Sequence, residues 1–392
     1  MSEISDMIQR LCPDGVEYRK LGEVVKIMNG KDYKSHQEGN IPVYGTGGIL
    51  TYIDTSFDDG PTVLLPRKGS IDKIYYVDSP FWTVDTIYWT KFSRDSLVCP
   101  KFLYYFMTTI NLSKMNTGTG AIPSLTQTVL SRIEIPVPPL EVQRKIVEVL
   151  DNFSELTAEL TAELTAELTA RQKQYEYYRD NLLNFNRGGQ VASDVKWMKL
   201  GDVMTIVRGA SPRPIQRYLT SNTDGIHWIK IGDVNPNSKY IESTTEYITM
   251  DGSKKSRFLE KGSFILSNSM SFGRPYILNI DGCIHDGWIS MVDYEKYFIQ
   301  DFLYHLLRSD LIQRYWKMKA SSGTVSNLNA DIVRSTVVPI PPIEKQKEIA
   351  SVLDRLSALT TDLTSGLPAE IKARQQQYEY YRDQLLTFKR AN

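Results

Sequence analysis

The feature that most constrains this chain is that it repeats itself. The run Ala-Arg-Gln-Lys-Gln-Tyr-Glu-Tyr-Tyr-Arg-Asp-Asn-Leu-Leu-Asn-Phe, from Ala170 to Phe185, returns with three changes from Ala373 to Phe388. Upstream, Pro-Val-Pro-Pro-Leu-Glu-Val-Gln from Pro136 returns as Pro-Ile-Pro-Pro-Ile-Glu-Lys-Gln from Pro339. Both pairs are offset by 203 residues, so the region between them has the same length in each half. The openings Lys20-Leu-Gly-Glu-Val and Lys199-Leu-Gly-Asp-Val are offset by only 179, which places 24 extra residues inside the second half. Internal repetition decides architecture before any local signal does, and 392 residues suit two cores better than one. The expected organisation is a globular module over 1–139, a helix over 140–186, a second module over 187–342 and a second helix over 343–392.

Proline is tolerated in the first turn of a helix and not in its interior, so each Pro-x-Pro-Pro stretch ends a globule and starts a helix. Glu141 to Asn186 contains neither proline nor glycine. At about 1.5 Å per residue this is a helix of roughly 70 Å. Its apolar stripe includes Leu156, Leu160, Leu164, Leu168, Tyr175, Tyr178 and Leu182. The copy continues through Leu363, Ile371, Tyr378, Tyr381 and Leu385. Spacings of three and four suit a helix that buries one seam against another. Those twelve residues are the candidate spacer and subunit interface. The simplest reading packs the two helices antiparallel as a coiled-coil spacer; the other packs each helix on its own globule.

The copies differ at one place. The central helix carries Thr-Ala-Glu-Leu in tandem at Thr157, Thr161 and Thr165, where the copy has Ser365-Gly-Leu-Pro368, a sequence that kinks or breaks a helix. One four-residue unit adds about 6 Å and about 40° beyond a full turn. A DNA base pair advances about 3.4 Å and turns about 34–36°. The number of units is therefore a candidate ruler for the gap between two half-sites on DNA. Slippage within a run of good helix formers is the competing explanation.

Both modules read as mixed α/β (α+β). Turn-punctuated β-like stretches lie at Ile41–Ile49, Pro61–Ser70 and Asp72–Val77, and again at Ile226–Asp233, Gly262–Ser269 and Pro275–Ile280. Each module then has a short amphipathic helix, Lys101–Thr109 and Gln300–Arg308. Gly120 and Leu125 correspond to Gly323 and Leu328. The Gly-Thr-rich loops at Gly118–Ala121 and Ser321–Thr324 suit either a backbone phosphate or a turn that needs small residues.

Charge excludes a uniformly basic binder. Lys plus Arg and Asp plus Glu are both 46, so the formal net charge is zero. Any nucleic-acid contact must rest on local clusters or on partner subunits. The clusters are Lys31 with Lys34, Arg67 with Lys68 and Lys73, Arg208 with Arg213 and Arg217, and Lys254 with Lys255 and Arg257. Arg67, Arg208, Arg213 and Arg274 have the chemistry to read guanine and Asn268 to read adenine. Taken singly, each is read first as a solvated surface group and only second as a base reader. The three cysteines are scattered and no secretory leader or membrane-length apolar run is seen, which points to a reducing cytoplasm. No Walker loop, amino-methyltransferase tetrapeptide or metal-ligand spacing occurs; Cys283 and His285 lack further ligands.

Together, the paired Pro-x-Pro-Pro-[Leu/Ile]-Glu-x-Gln helices, the Lys-Leu-Gly-[Glu/Asp]-Val openings and the Tyr-Glu-Tyr-Tyr-Arg-Asp-x-Leu-Leu copies closely resemble the specificity subunit of type I restriction-modification systems. The Thr-Ala-Glu-Leu tandem resembles its IC group. The resemblance implies that each globule is a target recognition domain reading half of a bipartite, asymmetric site on double-stranded DNA. It implies that the helices act as a ruler and dock two modification subunits. Those partners would bind S-adenosylmethionine and methylate adenine at N6, and restriction subunits would add translocation and cleavage with ATP and Mg. The chain itself would bind no cofactor or metal and hold no catalytic residue. The Gly366/Pro368 break departs from strict equivalence of the helices. Two competing readings are a self-contained methyltransferase or nuclease with fused recognition domains, and a protein scaffold that never touches DNA.

Overall fold

The computed structural model describes residues 2–116, 122–187, 190–191, 194–235, 238–269, 271–320, 327–361 and 366–391. The chain divides into two units: residues 1–162 with 372–392, and residues 163–371. Each unit therefore contains one globular module and a half of each long helix. The division falls at Ala162, inside the second Thr-Ala-Glu-Leu repeat.

In the first unit a four-stranded antiparallel sheet runs in the order Lys26–Asn29, Ile87–Lys91, Thr62–Pro66, Tyr75–Val77. The strand Thr62–Pro66 is buried along its whole length, as its Thr-Val-Leu-Leu run requires of a strand covered on both faces. A second sheet joins Gly48–Ile53, Glu38–Gly45 and Trp82–Thr83, the last pair parallel. The second unit repeats this plan with two five-stranded sheets. One runs Thr205–Arg208, Trp288–Val292, Phe264–Ser267, Pro275–Leu278, Tyr240–Ile241. The other runs Leu219–Thr220, Tyr247–Ile248, Ile226–Ile229, Gly282–Ile284, Arg257–Leu259. All six β-like stretches of the sequence contain strands. The short helices span Pro100–Thr108 and Gln300–Arg308.

The repeated openings and closings pair with each other. Tyr18–Lys20 runs antiparallel to Glu134–Pro136, and Lys196–Lys199 to Val337–Ile340. The glycine of Lys-Leu-Gly is needed at this clasp: a Cβ on Gly22 would stand 2.8 Å from Cβ of Ser131, and one on Gly201 3.0 Å from Cβ of Arg334. Beyond the clasp, the glutamine of Glu-x-Gln ties helix to globule. Gln143 accepts from Cys99 N–H at 2.7 Å and donates to the carbonyls of Leu97 at 2.8 Å and Pro138 at 2.7 Å. Gln346 repeats every bond, accepting from Ile299 N–H at 3.0 Å and donating to Tyr297 at 2.8 Å and Pro341 at 2.9 Å. Both side chains are fully buried.

The central helix is unbroken from Leu140 to Leu182, about 65 Å at 1.5 Å per residue. It ends four residues short of the sequence expectation, because Leu183 and Phe185 turn inward to the core of the second unit. The C-terminal copy is two helices, Ile343–Thr361 and Leu367–Leu385, with Pro368 in the first turn of the latter. The break expected at Gly366/Pro368 is where the second of these begins.

Within each unit the two helix halves run antiparallel. In the first, Tyr381 stacks on Phe153 at 5.7 Å, and Leu385 and Leu386 join Ile146 and Leu150 in the core. In the second, Leu183 and Phe185 join Ile349 and Leu353. Each half also packs on its globule, so helix-on-helix and helix-on-globule packing occur together. Tyr175 (4% exposed) and Leu385 are buried; Leu160, Leu164, Leu168, Leu182, Ile371, Tyr378 and Tyr381 are half-buried. Leu156 and Tyr178 stand exposed at 63% and 42%. Leu363 lies outside the described residues. The Gly118–Ala121 and Ser321–Thr324 loops, with Gly120 and Gly323, lie outside them too. No described helix is long and apolar enough to cross a membrane.

Candidate nucleic-acid interface

The basic residues of the second module collect around one acidic turn. Arg208 ends its strand and donates from Nε to the Asp286 carbonyl at 2.8 Å. Its guanidinium and that of Arg213 stand 3.8 and 3.9 Å from the Asp286 carboxylate. Asn268, just past the strand Phe264–Ser267, donates from Nδ2 to the same carbonyl at 3.3 Å. Arg274 lies at the far side of that hairpin and its guanidinium covers the Tyr276 ring at 5.8 Å. Four candidates from two separate segments of the sequence thus lie at one end of one sheet. The Arg213 side chain is 86% exposed, so a polyanion can reach it. A hydrogen bond from the Ser211 hydroxyl, at 2.9 Å, holds the Asp286 carboxyl below the usual carboxylate range.

A second group is linked to the first by the loop that follows Arg208. Lys255 donates to the Tyr218 hydroxyl at 2.5 Å and lies over its ring, next to Arg217. Lys254 pairs with Asp251 at 3.3 Å, a contact so exposed that it leaves the cation available. Ser256 donates to the Ala210 carbonyl at 2.7 Å, which ties the segment holding Lys254, Lys255 and Arg257 back to that loop.

The first module is arranged alike. Arg67 follows the strand Thr62–Pro66 and donates from Nη1 to the Asp85 carbonyl at 3.0 Å. Lys68 and Lys73 are exposed in the same hairpin. Lys31 lies 6.0 Å over Phe57, which stacks on Trp82 at 3.8 Å, and the Trp82 indole donates to the Lys31 carbonyl. Lys34 is exposed on the same loop. Close backbone approach shapes both ends. A Cβ on Gly30 would stand 2.0 Å from the Val84 carbonyl oxygen, and one on Gly209 2.0 Å from that of His285.

Leu125 and Leu328 are buried, and their amides donate to the Arg67 and Asn268 carbonyls at 2.8 and 2.9 Å. Cys283 is buried in a strand, and burial pushes its thiol up. Burial likewise lowers His285, whose Nδ1 accepts from Gly287 N–H at 2.6 Å, so the ring is a neutral turn element. Among the described residues no group of three His, Cys, Asp or Glu side chains is placed to hold a metal. Sequence reasoning missed Asp85, Asp286, Ser211 and Tyr218. Of these, the Asp286-Gly287 and Ser211-Pro212 pairs carry a local turn signal.

A family profile described as the type I restriction modification DNA specificity domain matches residues 13–170 and 192–373. The chain is 34% identical over 388 residues to a chain of Haemophilus influenzae assigned as a type I restriction enzyme specificity subunit, covering 95% of this chain and 96% of that one. It is 29% identical over 414 residues to the EcoR124I/EcoR124II specificity subunit of Escherichia coli, covering 99% and 98%. Its fold is similar, with a TM-score of 0.68 at 16% identity, to a chain solved in a study of complex assembly and conformational transition of the type I R-M system, covering 95% and 97%. With the profile spread over both modules and a relative this similar along nearly its whole length, the chain belongs to the type I restriction-modification DNA specificity family.

Proposed function

We propose that this chain is the DNA-recognition subunit of a type I restriction-modification complex and that each module reads one half of a bipartite site on double-stranded DNA. The observation that carries the reading is the convergence in each module: cations and planar amide or guanidinium groups meet at one end of equivalent sheets. Phosphate contacts would set position, and the groups at the acidic turn would meet base edges. The chain serves as a non-catalytic subunit. Two modification subunits with S-adenosylmethionine, and restriction subunits with ATP and Mg, would supply adenine methylation and cleavage in the cytoplasm. Exposed apolar groups on the helices, Leu156, Tyr177, Tyr178 and Tyr380 among them, suit docking of the modification subunits.

The tandem would act as the ruler of an IC-type subunit. It lies on unbroken helix where the chain passes from one unit to the other. Deleting Thr161–Leu164 shortens that helix by about 6 Å. Duplex selection by the assembled complex should then return the same two half-sites with an altered gap. An unchanged gap sinks the ruler. The absence of any sequence-specific protection by the wild-type complex sinks the DNA reading in favour of a scaffold.

A further inference from the structure

Matching the modules by sheet register, instead of by residue likeness, brings four positions into coincidence. The pairs Leu65↔Tyr88 and Leu64↔Tyr75 match Leu266↔Ile289 and Ile265↔Tyr276, all at an offset of 201. The first strand, paired Asn29↔Tyr88 and Arg208↔Ile289, keeps the offset of 179. So 22 of the 24 extra residues enter between these strands, in the second sheet. On this register Asn29 falls on Arg208, Arg67 on Asn268, Lys73 on Arg274 and Asp85 on Asp286.

The backbone around these positions shares two hydrogen bonds. Arg67 N–H donates to Thr86 at 3.0 Å and Asn268 N–H to Gly287 at 3.1 Å. Lys31 N–H donates to Thr83 at 2.9 Å and Ala210 N–H to Ile284 at 3.3 Å. The Asp85 and Asp286 carbonyls each accept from the side chain of the equivalent hairpin residue. Within this shared frame the chemistry is exchanged. The first module has a carboxamide at the strand end and a guanidinium at the hairpin; the second has the guanidinium at the strand end and the carboxamide at the hairpin. The cationic positions keep their charge: Lys73 and Arg274, and, four residues past the close-approach glycine, Lys34 and Arg213.

We propose that Asn29 with Arg67, and Arg208 with Asn268, are equivalent pairs of base-reading residues whose roles have changed places between the modules, while Lys34, Lys73, Arg213 and Arg274 hold phosphates. The inference rests on reading both modules as duplex readers. Carboxamide suits adenine N6/N7 and guanidinium suits guanine O6/N7, each good bidentate pair giving discrimination of about 10- to 100-fold. Phosphates look alike in every sequence, so contacts to them stay the same in both modules. Only the planar groups need differ for two half-sites to differ.

The test uses the full chain in its assembled complex, with duplexes selected from a randomised pool. The double exchange Asn29→Arg with Arg67→Asn should change base preference in one half-site and leave the other half-site and the gap intact. Selection of the wild-type sequence by this variant overturns the proposal. If the double variant fails to assemble, Asn29→Ser and Arg67→Lys are read singly. Loss of preference at one position each supports the proposal; uniform weakening with wild-type preference overturns it. Lys73→Ala should weaken binding to all sequences alike and lower the salt slope by about 1; a changed base preference overturns its phosphate role. A wild-type complex that selects no sequence overturns the reading of the modules themselves, and this inference with it.

Discussion

The two units hold the same helix pair against a globule with different side chains at the same positions. In the first, Tyr105 donates to Asp151 at 2.6 Å, Lys101 pairs with Asp151 at 2.9 Å, and Ser154 links Tyr105 to Tyr378 at 3.3 and 2.9 Å. In the second, His305 stands where Tyr105 stands. Its Nε2 meets Asp354 at 2.9 Å and its Nδ1 meets Tyr175 at 2.8 Å, while Lys239 pairs with Asp354 at 3.1 Å. The duplicated tyrosine and the duplicated aspartate are retained, and the group bridging them has drifted. Bonds from a side chain to backbone carbonyls and amides, such as those of Gln143 and Gln346, survive unchanged because the backbone offers the same partners in both units.

That contrast predicts the largest effect at the glutamines. Leucine at either position strands one amide and two carbonyls, and each buried polar group left unpaired costs about 1–3 kcal/mol. Gln143→Leu should destabilise the first unit by about 3 kcal/mol or more, and Gln346→Leu the second by a similar amount. Hydrogen exchange resolved by unit during denaturant unfolding measures both. A large effect in only one unit would break the equivalence of the two ties.

Next in size is a pH dependence confined to the second unit. Burial holds His305 below its ordinary imidazole value and outweighs the attraction of Asp354; Lys239 and Arg308 act in the same direction as burial. The ring is therefore neutral, donating a hydrogen bond from Nε2–H to ionised Asp354 and accepting one from the Tyr175 hydroxyl at Nδ1. The unfolded chain takes up a proton near pH 6.5 while the folded chain does not. This contribution to stability is thus complete above that value and is lost as pH falls below it towards the folded pKa. Asp354 burial pushes its own pKa up, but His305 and Lys239 outweigh this and hold it low, so its loss comes at more acid pH. Tyr105, raised by burial and by its bond to Asp151, stays protonated throughout. Acidification from pH 7 to 5.5, once the slower intrinsic exchange in acid is divided out, should lower amide protection in the second unit and spare the first. His305→Gln should reduce the difference to the part that His285, also lowered by burial in the second unit, supplies; a wild-type response shared by both units would refute this assignment.

How much of this was legible depends on where each bond partner lies. The duplication, the break at Gly366/Pro368 and the turn-punctuated β-like stretches were readable because spacing, proline and turn residues act locally. The convergence of Arg208, Arg213 and Asn268 was not, although each was a candidate, because Asp286 lies 78 residues beyond Arg208 and acts partly through its carbonyl. Side-chain identity carries no signal for a backbone acceptor. Gln143 and Gln346 sat in a quoted repeat, yet their role emerges only with the carbonyls of Leu97 and Tyr297 in place. The stripe through Leu156 and Tyr178 was read as a seam, but both side chains are exposed, since helical periodicity reports a face and not what covers it.

The smallest predicted effect separates the tyrosines. Tyr175 and Tyr378 are the same residue of the repeat, and each hydroxyl ends a polar chain. Tyr175 is buried against a neutral imidazole whose Nδ1 accepts its proton, so Tyr175→Phe leaves a buried acceptor unpaired and should cost about 1–2 kcal/mol. Tyr378 is half-buried and bonds Ser154, a rotor that water can satisfy, so Tyr378→Phe should cost about 0.5 kcal/mol. Thermal unfolding of the two variants compares them directly. Equal losses would mean that the tyrosines are held by the packing of their rings, and that the hydroxyl networks add nothing that differs between the units.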